Sequence, residues 1–177
     1  MPKLERGLVQ VFFGDGKGKT TAALGTAARA LGNGLKVHLV QFMKLKETGE
    51  IVALQKIPNF SFKQFGSDKW YKEEDKESIA EHKKAAEVAL AYLKSCFDKD
   101  YDIIIADEIL YAVQFSLISE NDVINLIKMK PADKELILTG AHKSFPKIFA
   151  LADLATEMKK IKHPYDKGIA ARKGIEY

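Results

Sequence analysis

The segment VFFGDGKGKTTAALG, near the start of the chain, carries residues that can bind a nucleoside triphosphate. The common phosphate-loop pattern is G-x-x-x-x-G-K-[ST], and Gly18, Lys19 and Thr20 supply its end. Phe13 stands where the first glycine belongs, and Gly14 follows one residue later. The loop is therefore shortened, which raises the question of whether its chemistry is still at the terminal phosphate.

The residue types of this loop suit phosphate binding. Glycine tolerates positive φ and lets the backbone come close to a ligand, so the N–H groups of residues 16–20 can converge on phosphate oxygens. Lys19 adds a mobile positive charge, and Thr20 or Thr21 offers a hydroxyl to magnesium. A glycine-rich turn with solvated lysines is the alternative, but the spacing and the flanking strand and helix patterns favour a phosphate loop.

A second candidate element is the segment YDIIIADE, an apolar strand pattern that ends in Asp107 and Glu108. Phosphate-loop proteins hold magnesium or its water shell with an acidic residue at such a strand end. An acidic cap on a following helix is the alternative, because buried strands often end in this way too. Since the loop is present in the same chain, the metal role is favoured.

These residues need a scaffold, and the apolar periodicity predicts an α/β fold with a mostly parallel sheet. The predicted strands are residues 8–13, 37–43, 60–65, 101–106, 135–139 and a short sixth near 154–158. The predicted helices are residues 19–31, 50–56 and 77–97, with a further helix opened by the capping box of Ser119 and Asp122. The basic tail, 159–177, fits no element. We expect residues 1–177 to form a single three-layer domain of the P-loop NTPase type with five or six strands.

The composition limits the range of functions. A chain of 177 residues with 46% hydrophobic and 29% charged residues is typical of one globular core. Its 28 basic and 24 acidic residues, net charge +4, suit a polyanionic small molecule and argue against nucleic acid. The single Cys96 excludes an internal disulfide, and neither the N-terminal MPKLERG nor any other segment has the apolar run of a signal peptide or membrane span. We therefore expect a cytoplasmic protein with no membrane partner.

Several segments together carry a family resemblance: GDGKGKTTAALGTAARALGNG, KVHLVQFMK, the tryptophan of GSDKW, ADEILYAV, LTG and ALADLATEMKKIKHPYDKGIAARKGIEY. They resemble the ATP:cob(I)alamin adenosyltransferases of the phosphate-loop type, also called corrinoid adenosyltransferases. The resemblance covers nearly the whole chain. Its most specific parts are the loop with its TTAA continuation and the ending KHPYDKGIAARKGIEY, because a phosphate loop alone is shared by many unrelated activities.

The resemblance implies an unusual use of the loop. A Co(I) corrinoid, of cobalamin or cobinamide type, attacks the 5′ carbon of the ATP ribose, and inorganic triphosphate leaves. A shortened loop fits this chemistry, because the whole triphosphate is gripped as a leaving group and its growing charge is stabilised by Lys19 and magnesium. Cobalt is the nucleophile, so no general base is needed. The resemblance also implies an external reductant such as a flavoprotein, and a homodimer.

Site residues follow from the resemblance position by position. Catalytic roles fall to Lys19, Thr20 and Glu108, and the metal ligands are Thr20, Glu108 and Asp107. The ATP contacts are Gly14, Asp15, Gly16, Lys17, Gly18, Lys19, Thr20, Thr21 and Arg29. The corrinoid contacts are Phe65 and Trp70, whose aromatic bulk would exclude the lower axial ligand so that Co(II) can be reduced. Arg29 is equally well explained as an exposed helix arginine, and Trp70 as a loop anchor.

Two positions depart from the family pattern. Asp15 stands where the family usually has asparagine, and its carboxylate would repel a triphosphate unless Lys17 or a metal offsets it. Where the family reads T-G-R, this chain reads T-G-A and ends the motif at Ala141. The corresponding arginine is missing, and His142 or Lys143 is the candidate substitute.

Two other functions remain open on the sequence alone. One is a phosphate-loop kinase or ATPase that acts on another substrate, and the other is a nucleotide-binding module without catalysis. The missing arginine motivates the second. The phosphorus product separates all three functions, because they yield triphosphate, ADP and unchanged ATP respectively.

Overall fold

The computed structural model describes residues 3–67, 71–72 and 74–176, in which six strands form one parallel sheet with helices on both faces. The strands are β1 Val9–Phe13, β2 Val37–Phe42, β3 Phe60–Phe65, β4 Ile103–Asp107, β5 Glu135–Thr139 and β6 Leu154–Glu157. The α-helices are α1 Lys19–Gly32, α2 Gly49–Leu54, α3 Lys76–Ser95, α4 Ile109–Gln114, α5 Glu120–Met129 and α6 Pro146–Phe149. Two 3-10 turns cover Cys96–Asp98 and Pro164–Lys167. Among the described helices, none has the length and apolar character needed to span a membrane.

The strand order β3-β2-β4-β5-β1-β6 brings the candidate site together. All neighbouring strands pair in parallel, so their carboxyl ends lie at the same edge of the sheet. Strand β5 lies between β1, which precedes the phosphate loop, and β4, which ends in the acidic pair. The register pairs Val11 with Leu138 and Ala106 with Leu138, so the three strands end nearly level. The loop and the acidic pair therefore meet across the end of β5.

The hydrophobic core lies on both faces of the sheet, as the apolar run in β4 predicts. Ile104 and Ala106 pack on the face covered by α3, α4, α5 and α6, whereas Ile103 and Ile105 pack on the face covered by α1 and α2. All four side chains are buried. A strand buried on both faces needs a continuous apolar sequence, which confirms the predicted three-layer arrangement.

Most predicted elements are confirmed to within a few residues, and the differences have local causes. Helix α3 begins at Lys76 because the side chain of Asp75 accepts hydrogen bonds from the backbone N–H groups of Glu77 and Ser78. The short helices α4 and α6 were not predicted. Helix α4, ILYAVQ, is almost uniformly apolar and α6 has four residues, so neither shows a helical period. The capping box of Ser119 and Asp122 does open α5.

His38 on β2 is buried in the core. Its Nδ1 lies 2.7 Å from the Ser61 hydroxyl and its Nε2 lies 3.1 Å from the Tyr92 hydroxyl. Its ring also stacks on Tyr101 with centroids 4.5 Å apart. Burial, together with the charges of nearby lysines, lowers the pKa of His38 to about 4. The imidazole is therefore neutral in the folded protein near pH 7.

We expect His38 to make the folded protein sensitive to mild acid. The unfolded chain binds a proton at His38 near pH 6.5, whereas the folded chain binds it only near pH 4, so stability falls as the pH falls through this window. The loss amounts to about 3 kcal/mol at most. The free energy of unfolding is measured by urea denaturation of the wild type and of His38→Gln at a series of pH values. It should depend less on pH in the variant between pH 6.5 and 4, and an equal pH dependence in the two proteins would contradict the prediction.

Candidate active site

The phosphate loop joins β1 to α1 and leaves the start of that helix open. Gly18 has φ +119°, a conformation that favours glycine, and precedes the first residue of α1. Within the described residues, no side chain caps this end of the helix. Its first N–H groups and the positive end of the helix dipole are therefore available to an anion.

Lys19 lies on the inner side of this loop. Its ammonium group donates hydrogen bonds to the carbonyl oxygens of Gly14, at 2.7 Å, and Gly16, at 2.9 Å. Burial lowers the pKa of Lys19, while the charges of Glu108, Asp15 and Asp107 oppose that shift. The ammonium is thus held at the loop by two neutral acceptors, which a charged phosphate oxygen can replace.

Gly16 contacts the end of the sheet. Its backbone N–H donates to the Met158 carbonyl oxygen at 2.6 Å, and its contact with ATP stays a prediction. The same neighbour explains why glycine is needed here. A Cβ atom on Gly16 would lie 2.6 Å from the Met158 oxygen, and one on Gly14 would lie 2.5 Å from it. These two glycines allow the loop to pack against the end of β6.

Asp107 ends β4 and is fully buried, with four hydrogen-bond donors around its carboxylate. Oδ1 accepts from the hydroxyls of Thr20, at 2.8 Å, and Thr139, at 2.7 Å. Oδ2 accepts from Gln41 Nε2, at 2.9 Å, and Lys44 Nζ, at 2.8 Å. Burial alone would raise the pKa of Asp107, but the charge of Lys44 and these hydrogen bonds lower it. Asp107 is therefore ionised and directly linked to the loop through Thr20.

Glu108 follows in a left-handed conformation, with φ +63°. Its backbone N–H donates to the Thr139 hydroxyl at 3.0 Å, which fixes the turn. Its Oε1 lies 3.6 Å from Lys44 Nζ, and its Oε2 is buried without a hydrogen-bond partner among the described residues. Burial, and then the charge of Asp107, raise the pKa of Glu108 to about 7. Although Glu108 precedes α4, its side chain makes no capping hydrogen bond, so the helix-cap alternative is wrong.

The oxygen atoms of Thr20, Asp107 and Glu108 fit a magnesium ion. Hydroxyl and carboxylate oxygens are the ligands that Mg²⁺ prefers, and an unpartnered buried carboxylate oxygen is the expected state of a ligand without its cation. In the described parts of the chain, no cluster of three or more His, Cys, Asp or Glu residues could hold a metal by itself. A site with few protein ligands suits Mg²⁺, which usually keeps several waters and binds substrate phosphates.

We expect Glu108→Gln to raise the magnesium requirement of the enzyme by about tenfold or more, because a neutral amide is a weaker ligand for a hard divalent cation. The substitution keeps the size of the side chain and removes a buried charge, so the fold should be retained. The measurement is the initial rate as a function of Mg²⁺ concentration at saturating ATP. An unchanged titration would remove Glu108 from the metal site.

A cleft of about 570 Å³ opens beside the loop and the acidic pair. Its walls come from the loop and the start of α1, from the segment after β2, from α4 and from the C-terminal tail. The lining residues include Lys17, Lys19, Thr20, Lys44, Glu108, Tyr111 and Glu176. A second groove, of about 780 Å³ between α3 and α5, lies away from the loop and contains none of the predicted site residues. The first cleft is therefore the candidate nucleotide site.

The C-terminal tail contacts the loop through two of the residues predicted to bind ATP. Lys17 Nζ lies 3.1 Å from both Glu176 Oε1 and the Ile175 carbonyl oxygen. The backbone N–H of Lys160 donates to Asp15 Oδ1 at 3.0 Å, and this hydrogen bond lowers the pKa of Asp15. The Asp15 carboxylate is thus satisfied by the tail, whereas Lys17, its expected partner, pairs with Glu176.

The remaining predicted residues are not gathered at the loop. Thr21 is exposed on the cleft wall. Arg29 is exposed in the last turn of α1, about 14 Å along the helix from Thr20. Phe65 ends β3 at the edge of the sheet, about 19 Å from β1 by strand spacing, and its ring packs on Tyr92 with centroids 5.3 Å apart. Trp70 lies outside the described residues. The roles of Arg29, Phe65 and Trp70 stay predictions.

The segment where the family arginine is missing still contacts the loop. Ala141 has φ +61°, and its carbonyl oxygen accepts from the Gly14 N–H at 3.0 Å. His142 Nε2 lies 2.6 Å from the hydroxyl of Tyr111, a residue of the cleft wall. Of the two candidate substitutes for the arginine, His142 is thus the one with a contact to the site.

Sequence reasoning missed several residues that complete the site, namely Gln41, Lys44, Tyr111 and Thr139. Two signals were available. All four residues lie within segments that carry the family resemblance, namely KVHLVQFMK, ADEILYAV and LTG. Gln41 and Thr139 also lie near the ends of predicted strands and Lys44 follows one, and the carboxyl ends of parallel strands share an edge. Tyr111 had no such strand signal, because α4 was not predicted.

The loop, the helix that follows it and the buried acidic strand end define a protein of the P-loop nucleotide-binding class. A solved structure of ATPases 2 and 3 of EssC from Geobacillus thermodenitrificans has the same fold, with a TM-score of 0.50 at 15% identity. That match covers 96% of this chain and 35% of the other chain. Within this class, the chain belongs to the ATP:corrinoid adenosyltransferase family BtuR/CobO/CobP, whose family model matches residues 5–177.

Relatives that are named corrinoid adenosyltransferases agree with this assignment over nearly the full chain. The corrinoid adenosyltransferase of Pseudomonas aeruginosa is 35% identical, and the match covers 98% of this chain and 85% of the relative. The corrinoid adenosyltransferase of Escherichia coli K12 and corrinoid adenosyltransferase CobA of Salmonella typhimurium are each 33% identical, with 98% of this chain and 87% of each relative covered. The family resemblance inferred from the sequence is confirmed.

Proposed function

We propose that this chain transfers the 5′-deoxyadenosyl group of ATP to the cobalt of a reduced Co(I) corrinoid and releases inorganic triphosphate. The match of the family model over residues 5–177 carries the reaction class. In the reaction a bond forms between cobalt and the ribose 5′ carbon, and the bond from that carbon to the triphosphate oxygen breaks. We also propose that residues 1–177 act as one ATP-binding domain.

The geometry of the loop supports a leaving-group role for the triphosphate. Lys19, held by two carbonyl oxygens at the loop, supplies a positive charge where the departing triphosphate gains negative charge. The open start of α1 supplies backbone donors for the same oxygens. Co(I) carries no proton to lose, so the reaction needs no general base and the acidic pair is free for a metal role.

Magnesium is part of the proposal, with Thr20, Glu108 and Asp107 as its ligands. When bound, the ion would neutralise charge on the triphosphate. The protein itself orients these groups: Asp107 fixes the Thr20 hydroxyl at 2.8 Å, and Thr139 fixes the backbone of Glu108. The buried, unpartnered Oε2 of Glu108 supports this assignment.

The corrinoid side of the proposal rests on the family resemblance. Phe65 and Trp70 would contact the corrinoid and exclude its lower axial ligand, so that Co(II) becomes reducible by an external donor such as a flavoprotein. A homodimer is proposed as well, supported by exposed apolar residues of the tail, including Ile161 and Tyr165, that a second copy could cover. A cytoplasmic location is proposed because the co-substrate ATP is available there.

The decisive experiment identifies the phosphorus product. The protein is incubated with ATP, Mg²⁺ and chemically reduced Co(I) cobalamin or cobinamide, and the phosphorus species are separated by ³¹P NMR or chromatography. The proposal expects triphosphate in amounts equal to the adenosylated corrinoid. ADP would indicate a kinase or ATPase, and unchanged ATP would indicate a nucleotide-binding module. A reaction without corrinoid controls for simple hydrolysis.

A further inference from the structure

Lys44 ends the segment KVHLVQFMK and lies at the acidic pair, where the sequence analysis gives it no role. It follows β2, whose neighbour in the sheet is β4, and the register places Gln41 opposite Asp107. The ammonium of Lys44 lies 2.8 Å from Asp107 Oδ2 and 3.6 Å from Glu108 Oε1. Its side chain is 27% exposed and lines the cleft. Lys44 thus reaches both carboxylates from the cleft side.

Lys44 supplies the positive charge nearest to the two carboxylates, because the other groups hydrogen-bonded to Asp107 are uncharged. Asp107 is bonded to the uncharged side chains of Thr20, Thr139 and Gln41. Lys19 directs its ammonium to loop carbonyls. In the described part of the chain, Lys44 is the cation that forms salt bridges with Asp107 and Glu108. Two neighbouring buried carboxylates repel each other, so a cation between them lowers the free energy of the nucleotide-free protein.

We propose that the ammonium of Lys44 occupies the magnesium site when no metal is bound. Lys44 is then a positioning residue that competes with the divalent ion for the carboxylates of Asp107 and Glu108. This inference rests on the magnesium role of the acidic pair in the proposed function. A monovalent ammonium and a divalent ion repel each other when they share the same oxygen atoms. Arrival of the metal therefore displaces the ammonium, whose flexible stem lets it move into the cleft towards the triphosphate.

Such an exchange gives the site a preference for metal bound together with nucleotide. Metal alone must displace Lys44 without providing a new anionic partner for it. Metal with ATP provides that partner, because the triphosphate offers oxygens to the released ammonium. Lys44 would thus weaken the binding of metal alone and favour the binding of the metal–nucleotide complex.

The test measures Mn²⁺ binding to the full chain without nucleotide, by electron paramagnetic resonance of the free ion. Lys44→Met should bind Mn²⁺ about tenfold or more tightly than the wild type, because the competing charge is gone. Lys46→Met, which removes an exposed lysine two residues along the same segment, is the matched control and should leave Mn²⁺ binding unchanged. Equal or weaker binding by Lys44→Met would overturn the proposal, because a lysine that only organises the carboxylates would help the metal.

A second comparison controls for a folding defect in Lys44→Met. In the Glu108→Gln background one carboxylate is already neutral, so Lys44→Met leaves a single buried charge, which Thr20, Thr139 and Gln41 still hydrogen-bond. Urea unfolding of the double variant checks that it is folded under the conditions of the Mn²⁺ measurement. Within this background, Lys44→Met should still tighten Mn²⁺ binding, and no gain would overturn the proposal. Neither measurement depends on turnover, so failure here is distinguishable from failure of the adenosyl-transfer proposal, which the phosphorus product reports.

Discussion

Replacing Lys19 with alanine should reduce kcat/KM for adenosyl transfer by about 100-fold or more, which corresponds to about 3 kcal/mol of lost transition-state stabilisation. The ammonium lies at the loop where the triphosphate departs, and its positive charge matters most when negative charge accumulates there. Its hydrogen bonds go to two carbonyl oxygens of its own loop, and its contact with another element is the Tyr111 ring, 5.9 Å from the ammonium, so we expect the fold to tolerate its loss. The assay starts from preformed Co(I), so that corrinoid reduction does not limit the rate.

Lys17→Ala is the matched control for this experiment, because Lys17 belongs to the same loop and carries the same charge. Its ammonium contacts the tail residues Ile175 and Glu176, so we expect a smaller loss than for Lys19. Melting temperatures of both variants check that the fold is intact. A Lys19→Ala enzyme within about threefold of the wild type would exclude transition-state stabilisation by this lysine.

The second large effect is expected at Asp107. Asp107→Asn keeps the volume of the side chain, but it removes the negative charge that pairs with Lys44 and places an amide where two donors now point. Breaking a buried, hydrogen-bonded ion pair of this kind should cost about 3 kcal/mol of the free energy of unfolding. The loss is measured by urea denaturation, and the activity of the variant should fall as well, because Asp107 also orients Thr20.

Asp102→Asn provides the control for that substitution. Asp102 precedes the same strand, and its carboxylate accepts one hydrogen bond, from the Lys36 backbone N–H at 2.7 Å. An asparagine oxygen can accept the same bond, so the expected cost is within about 1 kcal/mol. If both variants lost equal stability, the network around Asp107 would have no special energetic role.

The sequence predicted the scaffold well because the scaffold follows from local patterns. The isoleucine run of β4, the glycines that end α1 and the capping box of α5 each act over a few residues, and each produced the element expected of it. That Thr20 and the acidic strand end belong to one site was also predictable, since the loop pattern and the acidic residues are both visible in the sequence, and Thr20 does donate to Asp107. The order of the strands in the sheet could not be predicted from such local patterns.

The missed parts of the site arise from contacts between residues far apart in the chain. Lys44 is 63 positions from Asp107, and Thr139 is 32 positions from it. The N–H of Gly16 is taken by Met158, a residue at the end of β6 that no loop pattern specifies. The left-handed conformation of Glu108 was equally hidden, because glutamate has no preference for it and the hydroxyl of Thr139 helps to hold the turn.

The strand order delays the folding of the phosphate loop during protein synthesis. Strand β1 comes first in the chain, yet its two neighbours in the sheet are β5 and β6. The hydrogen bond from the Leu8 N–H to Glu135 at the start of this pairing joins residues 127 positions apart. During synthesis from the N-terminus, β1 and the loop after it must therefore wait for most of the chain before they can pair. We expect a ribosome-bound nascent chain to acquire ATP binding only after β5 and β6 have emerged, well after β2, β3 and β4 can associate.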